Sequence, residues 1–114
     1  MRKRSRSSTG QEYDADEMNI STHVLDTERG RPAAGVRVEL YRDEKLLAAE
    51  DTDSDGRIPD LAGELDRGTY RLVFLPVSSP FFKRIEVEVS LDETGHIHVP
   101  LLLSPYVCTI YRGS

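Results

Sequence analysis

Cysteine is nearly missing from the chain. With Cys108 alone, no intrachain disulfide can form, which suits a reducing compartment and makes the cytoplasm the expected location. Long apolar runs are missing too. Nothing approaches the ~20 residues a membrane-spanning helix needs, and Val99 to Leu103 is only a strand's length, so no membrane is expected. The N-terminus opens on the basic run Arg2-Lys3-Arg4, but no apolar stretch follows it, which argues against a secretory signal. There is no surplus of positive charge. Fifteen Lys and Arg against 20 Asp and Glu leave a net charge of -5, which argues against nucleic acid as the main partner. Serine-histidine-aspartate order, a glycine-rich phosphate loop and paired metal-binding cysteines are likewise absent.

What remains is an ordinary globular composition, 38% hydrophobic and 31% charged, in 114 residues, enough for one domain with one core. Residues Met1 to Glu17 stand apart. They are rich in Arg, Ser, Asp and Glu and nearly free of large aliphatics, so a disordered tail is expected there, with the domain running from Met18 to Ser114. From Met18 onward the punctuation is that of strands. Ile20 to Asp26 is β-branched and alternating, and ends at Glu28-Arg29-Gly30. Val36 to Tyr41 alternates apolar and polar, and Lys45 to Glu50 is expected to pair with it through Asp43-Glu44. Thr69 to Leu75, Arg84 to Val89, His96 to Leu103 and Val107 to Tyr111 complete about seven short strands, with the odd positions of Ile85, Val87 and Val89 turned to the core. Ala62 to Leu65 is too short to nucleate a helix. The fold class is all-β, and the strand spacing is that of a sandwich.

All three histidines fall in these strands. Side chains alternate along a strand, so His96 and His98 share one face and Ile97 takes the other. A histidine can relay protons near neutrality, and His23, His96 and His98 together could also form a zinc triad. Asp51-Thr52-Asp53-Ser54-Asp55-Gly56 begins like a calcium loop, but its twelfth position is Ala62 and strands flank it, so an acidic turn closed by Gly56 is expected. Arg57 leaves that turn with a guanidinium able to fork onto a planar carbonyl ligand. Cys108 reads as a small core or interface residue. Tyr111-Arg112-Gly113-Ser114 follows the last strand at a position where chains ordinarily fray.

Two segments taken together carry a resemblance. Ser21-Thr22-His23-Val24-Leu25-Asp26-Thr27 with Gly30-Arg31-Pro32-Ala33-Ala34-Gly35-Val36, and Thr52-Asp53-Ser54-Asp55-Gly56-Arg57 with Gly68 to Phe74, resemble 5-hydroxyisourate hydrolases and other transthyretin-like proteins. The block from His96-Ile97-His98-Val99-Pro100-Leu101-Leu102-Leu103-Ser104-Pro105-Tyr106 to the terminal Tyr111-Arg112-Gly113-Ser114 is the more specific one, because this ending separates the hydrolases from the hormone carriers. The resemblance covers Asn19 to Ser114. It implies a transthyretin-like sandwich of two four-stranded sheets, assembled as a homotetramer with sites in the channel between dimers. It also implies a small-molecule substrate, 5-hydroxyisourate from urate and purine degradation, hydrolysed without a metal or other cofactor.

Carried over by motif, the catalytic residues are His23, Arg57 and His98. Substrate would be bound by His23, Arg57, Tyr111, Arg112, Gly113 and Ser114, with His96 a neighbour. In the mechanism this implies, the two histidines flank water and substrate, and Arg57 holds the developing oxyanion. The chain departs from the family pattern at Pro76 to Arg84, where a longer stretch with a short helix is usual. It departs again at Tyr106-Val107-Cys108-Thr109-Ile110, where Gly-Tyr-Ser-Thr more often follows the aromatic residue. These departures leave one alternative function, a non-catalytic transthyretin-like protein that binds a different planar ligand.

Overall fold

The computed structural model describes residues 18–76, 79–92 and 95–113. The expected tail over residues 1–17 and the terminal Ser114 lie outside them. Nine strands appear in the order β1 (Met18–Asp26), β2 (Arg31–Pro32), β3 (Arg37–Arg42), β4 (Lys45–Asp51), β5 (Arg57–Ile58), β6 (Gly68–Leu75), β7 (Ile85–Leu91), β8 (Gly95–Leu103) and β9 (Cys108–Ile110). The seven expected strands are all present, within two residues at each end. β2 and β5 are additions, each too short to show an alternating pattern in sequence.

The strands form two sheets. One runs β4-β3-β6-β7 and is antiparallel throughout. The other runs β2-β1-β8-β9, with β5 also on β1, so it has one short strand more than two matched four-stranded sheets would give. Its central pair, β1 with β8, is parallel, with Ser21 opposite His98 and His23 opposite Pro100. The other edge of β1 is shared. Pro32 and Arg31 pair with Leu25 and Asp26, Ile58 and Arg57 pair with Thr22 and His23, and the amides of Leu61 and Leu65 bond to the carbonyls of Ile20 and Met18 at 2.8 and 2.7 Å. The 61–65 segment thus serves as an irregular edge strip, and among the described residues it holds no helix. It satisfies backbone groups that a bare edge would leave open.

Alternation decides which side chains meet between the sheets. Met18, Ile20 and Val24 of β1 and Ile97, Val99, Leu101 and Leu103 of β8 face Val38, Leu40, Tyr70, Leu72, Phe74, Ile85 and Leu91 from the other sheet, all buried in one cluster. Each fully buried aliphatic side chain of this kind contributes about 1.5–3 kcal/mol. Val87 and Val89 pack against the same cluster from odd positions of β7, as their alternation predicts, and half-buried Cys108 joins it as well. The outer face of the smaller sheet is closed by polar contacts. Glu39 accepts from Arg37 at 2.7 Å and from Tyr41 at 2.9 Å, and the Arg71 guanidinium lies over the Tyr41 ring. Among the described residues no helix is long and apolar enough to cross a membrane.

Between β6 and β7, Ser79 is 8% exposed and its hydroxyl accepts from the amides of Phe82 at 2.9 Å and Phe81 at 3.3 Å. This tight turn occupies the shortened segment, and among its described residues there is no helix. Phe81 and Phe82 meet edge to face, and Phe81 also reaches Tyr106.

Candidate active site

The outer face of the larger sheet collects the polar residues that its core face excludes. With even positions of β1 buried, Asn19, Ser21 and His23 project outward. With odd positions of β8 buried, His96 and His98 do the same. The parallel register sets Asn19 beside His96 and Ser21 beside His98. Arg57 pairs directly with His23 across β1 and β5, so its side chain rises on that face too, while its neighbour Ile58 turns into the core.

The acidic turn aims Arg57. The Asp53 carboxylate accepts the amides of Asp55 and Arg57, each at 2.9 Å, and the Gly56 amide bonds to the Asp53 carbonyl at 2.8 Å. The bond from the Arg57 amide is also the main reason the Asp53 carboxyl is held below the usual carboxylate range. Gly56 has φ +75°, and a Cβ there would stand 2.5 Å from the Val24 carbonyl oxygen, so no other residue fits this turn against β1. The Asp-x-Asp-x-Asp-Gly run is therefore structural, as its incomplete match to a calcium loop predicts. Among the described residues the Arg57 guanidinium has no ion-pair partner, which leaves its fork free for a ligand.

Each histidine has a defined partner. His23 Nε2 lies 2.9 Å from the Asp55 carbonyl oxygen, which can only accept, so that nitrogen carries the proton and Nδ1 is the free position. The Ser21 hydroxyl bridges His96 Nε2 and His98 Nδ1 at 2.7 Å each, and Asn19 Oδ1 lies 2.6 Å from His96 Nδ1. His98 is held below the ordinary imidazole pKa, chiefly by burial and then by the positive charge of Arg57, with His23 and His96 adding to it. A neutral imidazole beside an unpaired guanidinium can take a proton from water while the cation holds an oxyanion. Among the described residues no three His, Cys, Asp or Glu side chains are grouped to hold a metal ion, and the Ser21 hydroxyl occupies the space between two members of the triad that the sequence suggests.

Ser21, Thr22, Arg57, Pro59, His96 and His98 line an open hollow on this face, and His23 stands on the same face outside that lining. The chain's end borders the hollow. The Tyr111 amide bonds to the Pro100 carbonyl at 3.4 Å and the Gly113 amide to the His98 carbonyl at 2.7 Å, so pairing continues past β9 where fraying is the usual outcome. Gly113 lies against the His98 ring. Tyr111 and Arg112 line a different hollow, with Val87, Val89, Ile97 and Ile110, at the open side of the sandwich. The structure therefore gathers His23, Arg57, His98 and Gly113 on one face and puts Tyr111 and Arg112 elsewhere. Ser21 and Asn19 have no counterpart among the residues expected from sequence. Their only signal is the two-residue spacing they share with His23, which acquires meaning once β1 and β8 are known to be neighbours.

Comparison with known proteins gives concordant matches. The profile of the HIUase/Transthyretin family matches residues 20–113. The chain is similar to the 5-hydroxyisourate hydrolase of Deinococcus radiodurans, at 41% identity over 83% of this chain and 95% of the relative. In structure it is similar to the 5-hydroxyisourate hydrolase of Klebsiella pneumoniae, with a TM-score of 0.78 and 35% identity over 85% of this chain and 99% of the other. Sea bream transthyretin, solved in complex with thyroxine, matches at a TM-score of 0.73 and 27% identity, over 83% and 94% of the two chains.

Proposed function

The chain belongs to the HIUase/Transthyretin family, and from that membership we propose that it is a 5-hydroxyisourate hydrolase, opening a cyclic amide with water during purine degradation. The observation that carries this reading is the meeting of His23, Arg57 and His98 on one sheet face, in a chain 41% identical to a protein named for that reaction. Three residues from separate parts of the sequence supply a base, a cationic clamp and a second proton carrier.

In this reading His98, neutral at pH 7, removes a proton from the attacking water as it adds to the ring carbonyl. Arg57 holds the carbonyl oxygen and stabilises the charge that develops on it. His23 serves the leaving nitrogen. Its Nε2–H is committed to the Asp55 carbonyl, so Nδ1 is where it holds or exchanges a proton. Gly113 is the member of the terminal segment that lies against the His98 ring; substrate binding by Tyr111, Arg112 and Ser114 rests on the motif resemblance alone, since Tyr111 and Arg112 line a different hollow of the single chain. None of these steps calls on a metal.

A homotetramer with its sites in a channel between dimers belongs to the same proposal. It is supported by a hollow that is open in a single chain, and by Phe81, Tyr106 and Val107, each more than 60% exposed. Sedimentation equilibrium showing a monomer would remove this part. Cytoplasmic location belongs here as well, supported by the single cysteine.

The test is the decay of freshly generated 5-hydroxyisourate followed by ultraviolet absorbance, with chelator present. Rapid decay that disappears in His98→Ala is the expected result. Folded protein that leaves the rate unchanged would overturn the hydrolase reading and favour a binding protein, the role shown by the thyroxine-bound relative on the same fold.

A further inference from the structure

Three hydrogen bonds run in series across the face of β1 and β8, from Asn19 Oδ1 to His96 Nδ1, from His96 Nε2 to Ser21 Oγ, and from Ser21 Oγ to His98 Nδ1, at 2.6, 2.7 and 2.7 Å. Their proton count has one solution when both imidazoles are neutral. An amide oxygen only accepts, so His96 Nδ1 carries hydrogen and His96 Nε2 is bare. A bare nitrogen needs a donor, so the single Ser21 hydroxyl proton points to His96. Ser21 then has only lone pairs to offer His98, which must donate from Nδ1. The remaining nitrogen, His98 Nε2, is left bare. Ser21 is 5% exposed, so its hydroxyl depends on these two partners rather than on bulk water.

We propose that Asn19, Ser21 and His96 are positioning residues that hold His98 in the tautomer with a bare Nε2 and conduct its proton away to His96. The proposal rests on the hydrolase reading for its catalytic consequence, but its tautomer assignment stands independently of that reading. The transfer balances. As His98 Nε2 takes a proton from water, Nδ1 passes its own to Ser21 Oγ, and Ser21 passes its hydroxyl proton to His96 Nε2. His98 ends neutral with hydrogen on Nε2, and the positive charge sits on His96. When Nε2 gives up that proton, which reaches the leaving amide nitrogen by way of His23 Nδ1, the series runs backward and the starting state returns. One imidazole thus changes from acceptor to donor without holding a charge beside Arg57 and His23, the charged and titratable groups that face it from β5 and β1. His96 is exposed and bonded to Asn19, so it carries the charge at lower cost.

The experiment uses the full chain labelled with nitrogen-15 histidine and long-range proton–nitrogen correlation at mildly alkaline pH, where imidazoles are neutral. The expected result is hydrogen on Nδ1 of both His96 and His98 and a bare Nε2 on each. In Ser21→Ala, His98 is expected to lose this preference, and kcat to fall roughly 10–100-fold at little-changed KM, part of the ~10²–10⁴-fold that positioned acid–base groups supply. Ser21→Thr keeps the hydroxyl and should restore the tautomer. His96→Ala, at an exposed position, frees the Ser21 proton to turn toward His98 Nδ1, which should move the His98 hydrogen to Nε2 and lower kcat similarly. Hydrogen on Nε2 of His98 in the wild-type chain would overturn the proposal, whether or not any variant folds. So would wild-type kcat in folded Ser21→Ala or His96→Ala. A wild-type chain with the expected tautomer but no action on 5-hydroxyisourate would sink the hydrolase reading and leave the tautomer assignment standing.

Discussion

Gly113→Ala is the most economical way to disturb this site. A Cβ at Gly113 would stand 2.8 Å from His98 Cδ2 and 3.4 Å from Pro100 Cγ. Ordinary carbon contacts lie at roughly 3.5–4.0 Å, so the ring or the terminal segment must retreat by about 0.7–1.2 Å from the 2.8 Å position. The backbone is not the obstacle, because Gly113 does not have a positive φ and alanine adopts its conformation without strain. Nor can the segment lift freely, since the Gly113 amide is bonded to the His98 carbonyl at 2.7 Å. The ring therefore takes up much of the movement, and its 2.7 Å bond to Ser21 stretches with it. A misplacement near 1 Å at a reacting group costs on the order of 10²-fold in rate. The expected outcome is a fall in kcat/KM of that order for 5-hydroxyisourate, with Tm within a few degrees of wild type because no core contact is lost. Activity within twofold of wild type in a folded Gly113→Ala protein would refute the reasoning, since it would mean the ring's position against Gly113 does not matter.

Other measurements bear on the same picture. His98 is held below the ordinary imidazole pKa of 6.5, and as the base of the proposed reaction it would act unprotonated, so kcat/KM should rise with pH through a midpoint below 6.5 and stay level above it; a midpoint above 6.5 would contradict this assignment. Arg57→Ala should lower kcat by ~10²–10³-fold, the usual loss for one oxyanion donor, and unchanged activity would remove Arg57 from the site. Leu72→Ala, at a fully buried position facing β1 and β8, should cost about 2–5 kcal/mol of unfolding free energy in denaturant titration. A cost under about 1 kcal/mol would mean the sandwich core repacks around Leu72 with little penalty.

The outer sheet face can change its residues without disturbing the fold. The interior needs only alternating apolar residues, which β1, β3, β6, β7 and β8 supply. The polar residues of the candidate site occupy the opposite face, where exchanging them leaves the core untouched. A thyroxine-binding transthyretin at 27% identity and a hydrolase at 35% can therefore both align with this chain over most of its length.

Much was legible from sequence alone, and for a physical reason. Side chains alternate along a strand, so the pattern Arg84 to Val89 announces its buried face, and His96-Ile97-His98 announces that its two histidines stand together. Asp53 and Gly56 mark a turn because one offers a carboxylate to nearby amides and the other accepts a positive φ. Motif resemblance added His23, Arg57, His98 and the terminal segment as a set. The two-residue strands β2 and β5 stayed hidden, because two residues have no period. Only tertiary structure decided that β1 and β8 are parallel neighbours in a register that sets Asn19 beside His96 and Ser21 beside His98. That pairing joins residues 77 positions apart through bonds to the backbone and burial of the opposite face, and no local propensity encodes it. For the same reason, the separation of Gly113 from Tyr111 and Arg112 onto different hollows emerged only from the way the chain's end is bonded to β8.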